Sequence, residues 1–147
     1  MARIVRPMIK EPDGLPLVGI TSRCLGVRPT GPNADVDLNP PGDVNGDVIF
    51  NHKGLSVGAD WRNLPGHLIP EHLDDGFNNA RGKNMAVYVH GSGTGPFEAG
   101  PVANGLEMML KQGCVDLGVI RPVATVPLAQ FQADLEATRP HWVIDES

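Results

Sequence analysis

Leu106-Glu107-Met108-Met109-Leu110-Lys111-Gln112-Gly113-Cys114-Val115-Asp116-Leu117-Gly118-Val119-Ile120-Arg121 holds two apolar runs parted by Gln112-Gly113. Runs of this length, rich in aliphatic residues and broken by a turn-forming glycine, read as two strands, Leu106 to Lys111 and Cys114 to Arg121, in a hairpin-like connection. The alternation of Val115, Leu117 and Val119 against Asp116, Gly118 and Ile120 is imperfect. A strand of that kind is expected at the centre of a sheet, covered on both faces.

Downstream, the spacing predicts a helix starting near Thr125 as N-cap, with Pro127 in its first turn. Leu128, Phe131 and Leu135 share one face, and Thr138-Arg139-Pro140 ends the helix. Trp142 is expected to pack beneath that end. Upstream, Asn84 to His90 reads as a strand and Gly91 to Pro101 as an open loop. Val48-Ile49-Phe50 and Leu55-Ser56-Val57 read as strands around a turn at Asn51 to Gly54, and Pro70 to Leu73 as one helical turn. Arg28 to Asp47, with four prolines and three glycines, has scarcely any periodicity; unstructured loops that long are uncommon in compact domains unless they serve function. Leu17 to Ile20 and Cys24 to Val27 predict a first strand from which Arg23 projects. Residues 1–16, punctuated by Pro7, Pro12, Gly14 and Pro16, read as an irregular N-terminal arm.

These elements sum to one domain, 1–147, of α+β class. It is expected to be a small, strand-rich mixed sheet or sheets with few short helices and long loops. The 147 residues suffice for a core without a staple. Eighteen glycines and fourteen prolines favour many short elements over long helices. A formal charge of -5 disfavours a broad grip on nucleic acid or an anionic membrane surface, so neither partner is expected. No apolar run approaches the roughly twenty residues of a spanning helix. The N-terminal residues lack the apolar core and cleavage site of a secretory leader, which makes the expected location cytoplasmic. Cys24 and Cys114, ninety residues apart among apolar neighbours, read as buried reduced thiols.

Several motifs invite chemistry. Gly54-Leu55-Ser56-Val57-Gly58 spells G-x-S-x-G, but no helix follows to make a nucleophile elbow. A hydrolase would need Ser56 together with His90 or His141 as base. His90-Gly91-Ser92-Gly93-Thr94-Gly95 follows a strand as a phosphate loop would, yet it lacks both the Walker lysine and a receiving helix. Asp43-Val44-Asn45-Gly46-Asp47 opens like a calcium loop, then carries Val48 where glycine is required and Gly54 where glutamate belongs, so an Asn-Gly turn is expected instead. His52, His67, His72, His90 and His141 have no metal-ligand spacing, and no metal is expected.

The order of segments adds a further reading. Arg23-Cys24-Leu25-Gly26-Val27, a long loop, Gly54-Leu55-Ser56-Val57, Leu68-Ile69-Pro70, and Val119-Ile120-Arg121-Pro122 before the last helix resemble a family of type VI secretion effector toxins with an ADP-ribosyltransferase-like fold. The resemblance spans about Thr21 to Ala137. It implies a transferase whose NAD-binding cleft modifies a cytosolic target, and a cognate antitoxin or immunity protein as partner. It also implies roles by position: Arg23, with Arg28 as a second stand-in, for the first-strand arginine on the phosphates or ribose; Leu55 and Ser56 against the nicotinamide ribose; and Glu98, or else Glu107, for the glutamate that stabilises the cationic sugar. The chain departs from the pattern at Leu55, where the family has threonine, and lacks the histidine ahead of the final Ile-x-Pro. The alternative is a non-catalytic interaction domain that docks a partner through its Pro/Gly-rich loops at Arg28–Asp47 or Gly91–Pro101.

Overall fold

The two runs that opened the sequence do pair. The computed structural model describes residues 2–73, 82–91 and 93–147. In chain order its strands are β1 (Val5–Ile9), β2 (Leu38–Asn39), β3 (Asp47–Val48), β4 (Leu55–Gly58), β5 (Met85–His90), β6 (Gly100–Ala103), β7 (Leu106–Leu110), β8 (Leu117–Pro122), β9 (Val126–Pro127) and β10 (Trp142–Ile144). One α-helix, α1 (Leu128–Ala137), precedes β10, and short 3-10 turns lie at Trp61–Asn63, Gly66–Leu68, Glu71–Leu73 and Arg139–His141. Seven strands form an antiparallel sheet in the order β10-β5-β1-β4-β8-β7-β6, and β2-β3-β9 form a smaller antiparallel sheet. The fold is therefore α+β and strand-rich. Among the described residues no helix is long and apolar enough to cross a membrane.

β7 and β8 pair in register from Leu106 opposite Pro122 to Leu110 opposite Gly118. Period-two alternation along them puts Leu106, Met108 and Ile120 on the inner face, where Leu55 and Val57 of β4 and Tyr88 of β5 join one apolar core. The core also takes Leu128, Phe131 and Leu135 of α1, as their spacing predicts. On the outer face Val5, Val87 and Val89 pack against Trp61 and Ile69 in a second cluster. β8 runs between β4 and β7 with Gly118, Val119 and Ile120 buried, the covered central strand that its broken alternation predicts.

Four expectations change. The arm at residues 1–16 contains β1, a central strand of the large sheet, and is not irregular throughout. The first strand expected around Leu17–Ile20 and Cys24–Val27 is absent: the segment makes one isolated bridge, Val18 to Leu25, and Leu25 is buried without a strand around it. Val48 and Ser56 do not share a hairpin, because β3 joins β2 and β9 in the small sheet while β4 joins the large one. α1 begins at Leu128 rather than beside Thr125, since Val126 and Pro127 first pair with Val48 and Asp47; the Thr125 hydroxyl instead accepts the Phe50 N–H. The Asn-Gly turn forms as expected, with the Asp43 carboxylate accepting the Asn45 N–H at 2.9 Å. Trp142 is buried at the end of α1, where its indole N–H donates to the Thr138 hydroxyl.

Candidate functional site

The site begins with a dipeptide, Arg6-Pro7. β1 pairs with β5 along its whole length but with β4 only where Val5 faces Gly58. Continued in register, the next pair to exchange hydrogen bonds across that seam, two residues on, would be Pro7 and Ser56. Proline has no N–H to give, so the Ser56 carbonyl would lack a donor and the ladder stops. Arg6 supplies what is missing. Its side chain, 5% exposed, donates to the Ser56 carbonyl at 2.7 Å, to Cys24 at 2.7 and 3.3 Å and to Ser22 at 3.2 Å. Residues 22–24 thereby enter the parted seam, and the Ile9 N–H reaches the Arg23 carbonyl at 2.7 Å. Burial pulls the Arg6 guanidinium down to about 10, partly offset by the negative charge of Asp35. Among the described residues no carboxylate forms an ion pair with it.

Where β1 and β4 part, a pocket of about 190 Å³ opens, lined by Arg6, Ser22 and Ser56 with Leu64, Pro65, Leu68 and Leu117 as apolar walls. It meets a wider groove of about 720 Å³ across the outer face of β4, β8 and β7, lined among others by Asp35, His52, Lys53, Ser56, Met109, Lys111 and Val119. Ser56 and Lys111 belong to both. The groove is of the size that takes small ligands, commonly 300–1,000 Å³. Its charges are unevenly balanced. Asp35 is held by Arg28 through the backbone N–H at 2.7 Å and the guanidinium at 3.0 and 3.2 Å, and Lys53 pairs with Asp37 at 2.9 Å. Among the described residues Lys111 has no carboxylate partner and the Ser56 hydroxyl no hydrogen bond.

Of the residues to which the resemblance assigns a role, Ser56 stands in the groove with its side chain exposed. Leu55 alternates to the opposite face and is 1% exposed in the core, so its side chain is packing and not a cofactor contact. Arg23 lies in a turn and not on a strand; its guanidinium caps the His67 carbonyl at 2.8 Å, and only its neighbour Ser22 reaches the pocket. Arg28 is spent on Asp35. Glu98 is exposed at a separate hollow lined by Ala2, Ile4 and His90, away from Ser56. Glu107 shares the outer face with Ser56, since its neighbour Met109 faces Val119 and Val119 faces Ser56; it pairs with Arg121 at 3.0 Å.

Among the described residues no hydrolase triad assembles. His90 sits opposite Ile4 on the inner side of the sheet, 5% exposed and edge-on to Trp142 at 5.2 Å, while His141 is exposed on the turn after α1. The glycine of the G-x-S-x-G match has another cause: a Cβ on Gly54 would run into the Ile120 carbonyl of β8, so close strand approach requires glycine there. In the glycine loop, Gly93 packs on the Ala2 carbonyl, whereas Ser92 lies outside the described residues. Cys24 is buried and Cys114 half-buried, and both are free.

Sequence reasoning missed Arg6 and Lys111. Arg6 carried a signal, a cation inside the apolar run Ile4-Val5-Arg6-Pro7-Met8-Ile9, but Pro7 drew the segment toward loop. Lys111 carried none, because its place in the groove depends on strands fifty residues apart. Compared with known proteins, the chain matches no protein-family model, no curated protein and no solved structure, so the site is read from its own residues.

Proposed function

We propose that the chain is an ADP-ribosyltransferase-like toxin or toxin-derived domain whose groove over Ser56 binds NAD as substrate. The observation that carries this reading is the contact between Arg6, on the first strand, and the Ser56 strand directly beneath the groove. Arg6 takes the place that the resemblance gave to Arg23. An exposed serine hydroxyl, an adjoining pocket with apolar walls and a local excess of positive charge suit a ligand that joins a flat aromatic ring, riboses and a diphosphate. The Ser56 hydroxyl would hold the ribose next to nicotinamide, with the ring against Leu64, Pro65 and Leu68. As the ribose–nicotinamide bond breaks, its electron pair leaves with nicotinamide and the sugar becomes cationic. In the resembled family a carboxylate stabilises that cation; of the two candidates Glu107 shares the face of Ser56 and Glu98 does not, but Glu107 is paired with Arg121 and lines neither cavity. The acceptor would lie in the cytosol, and a cognate antitoxin would cover the groove.

NAD should raise the melting temperature of the wild-type chain, with the shift abolished in Ser56→Ala and retained in Arg23→Ala. Absence of any shift at millimolar NAD overturns the reading. A second reading, a docking module, draws support from the 28–50 segment, where exposed Ile49 lines a hollow of about 420 Å³ with Pro29, Val36 and Pro41, and Val44 and Phe50 are exposed on the same segment. Expression separates the two: a toxin arrests its host and Ser56→Ala relieves the arrest, whereas a docking module does neither.

A further inference from the structure

We infer that the junction of the groove and the pocket is a diphosphate subsite, and that Lys111 is the residue that reads the charge there. The inference deepens the NAD reading and rests on it for the identity of the ligand, though not for the anion.

Three observations carry it. Lys111 and Ser56 are the two residues that line both cavities, so a ligand long enough to occupy both must cross between them. The other ionic side chains at the groove are matched internally, Asp35 by Arg28 and Lys53 by Asp37. What remains at the junction, among the described residues, is the ammonium of Lys111 without a carboxylate partner and the guanidinium of Arg6, buried and hydrogen-bonded to neutral carbonyls. Two cations that no carboxylate pairs with among the described residues, one shielded from water and only partly offset by Asp35, attract a dianion at the junction, and a low local dielectric strengthens the attraction. A dinucleotide diphosphate carries two negative charges at neutral pH and lies between its two nucleoside halves. With nicotinamide in the small pocket and the adenosine half along the wide groove, the diphosphate falls at the junction.

The lysine is there for a structural reason. It follows β7 at the start of the turn to β8, its N–H bonding the Leu117 carbonyl at 2.9 Å and its carbonyl accepting the Cys114 N–H at 3.0 Å. The backbone is thus fixed while the exposed side chain is free to meet a ligand. Lys111 is on this account a specificity-determining residue that distinguishes phosphorylated from unphosphorylated ligands.

The test measures binding of inorganic pyrophosphate, NAD and nicotinamide riboside by calorimetry at low salt, on wild type, Lys111→Ala and Lys111→Arg. A charge-assisted bond to phosphate corresponds to a loss of about tenfold or more on removal. Lys111→Ala should therefore weaken pyrophosphate and NAD by about tenfold, leave nicotinamide riboside and the melting temperature unchanged, and be rescued by Lys111→Arg. NAD affinity insensitive to Lys111→Ala overturns the inference and spares the NAD reading. Pyrophosphate binding that depends on Lys111, with no binding of NAD, sustains the subsite and overturns the NAD reading. No pyrophosphate binding at low salt overturns the subsite.

Discussion

The seam between β1 and β4 and the hairpin of β7 and β8 lie in the same sheet, yet they are held by different means. In the hairpin five consecutive residue pairs keep register, and side chains alternate between the apolar core and the outer face. At the seam a single pair keeps register, and one guanidinium does the work of the missing backbone donors. Regular pairing closes a sheet, whereas irregular pairing leaves room. The pocket beside Ser56 exists because β1 carries proline where an N–H was needed and arginine next to it to satisfy the orphaned carbonyl.

Removing the brace should have the largest effect. Arg6→Ala leaves the carbonyls of Ser22, Cys24 and Ser56 without their donor in a buried setting, a loss of about 3 kcal/mol or more by denaturant melts. Met108→Ala, the reference in the hairpin, loses about 2–5 kcal/mol through cavity formation alone. The comparison breaks if Arg6→Ala is as stable as wild type. It sharpens if Arg6→Ala loses ligand binding while a Met108→Ala chain, kept folded below its melting temperature, retains it.

A second test concerns pH. His90 sits at the end of β5 with neither ring nitrogen hydrogen-bonded among the described residues. Burial, reinforced by the charge of His141, pulls its pKa below the ordinary 6.5. Because the folded value is lowered, the unfolded chain binds the proton first. Stability is full above pH 6.5, declines as pH falls from there toward the lowered folded value, and levels off beneath it. His90→Phe should remove that decline from a series of melting temperatures between pH 8 and 5. An identical slope in the variant would assign the acid loss to other groups.

The smallest effect on stability and the most telling one for the seam is expected from Pro7→Val. Valine returns an N–H opposite Ser56 at a strand position, with a stability change within about 1 kcal/mol. The restored donor competes with Arg6 for the Ser56 carbonyl and draws β4 toward β1, narrowing the pocket. Ligand binding should weaken while the melting temperature barely moves; unchanged binding would show that the proline does not hold the seam open.

Part of this was legible beforehand. The strand-rich α+β class, the β7–β8 pairing, the strand ending at His90 and the buried face Leu128, Phe131 and Leu135 follow from local periodicity, because burial on one face imposes a repeat of two or 3.6 residues on nearby positions. The strand Leu55-Ser56-Val57 was legible for the same reason, though not which of its side chains faces the core. The turn that holds Arg23 and the inward face of Leu55 were not legible, because a motif read in one dimension does not say which face a residue takes or whether its run becomes a strand. Glu98 was preferred to Glu107, and only the sheet shows that Glu107 is the one that shares a face with Ser56.

By itself, then, the sequence determined the elements whose stabilising contacts lie close along the chain, and the size of core they could bury. Only the tertiary structure decided that residues 5–9, and not 17–27, make the first strand, that Arg6 substitutes for a ladder across a gap of fifty residues, and that Lys111 shares a cavity with Ser56. Those outcomes turn on where unsatisfied backbone carbonyls and unpaired charges meet after the chain has closed, and no local repeat records such meetings.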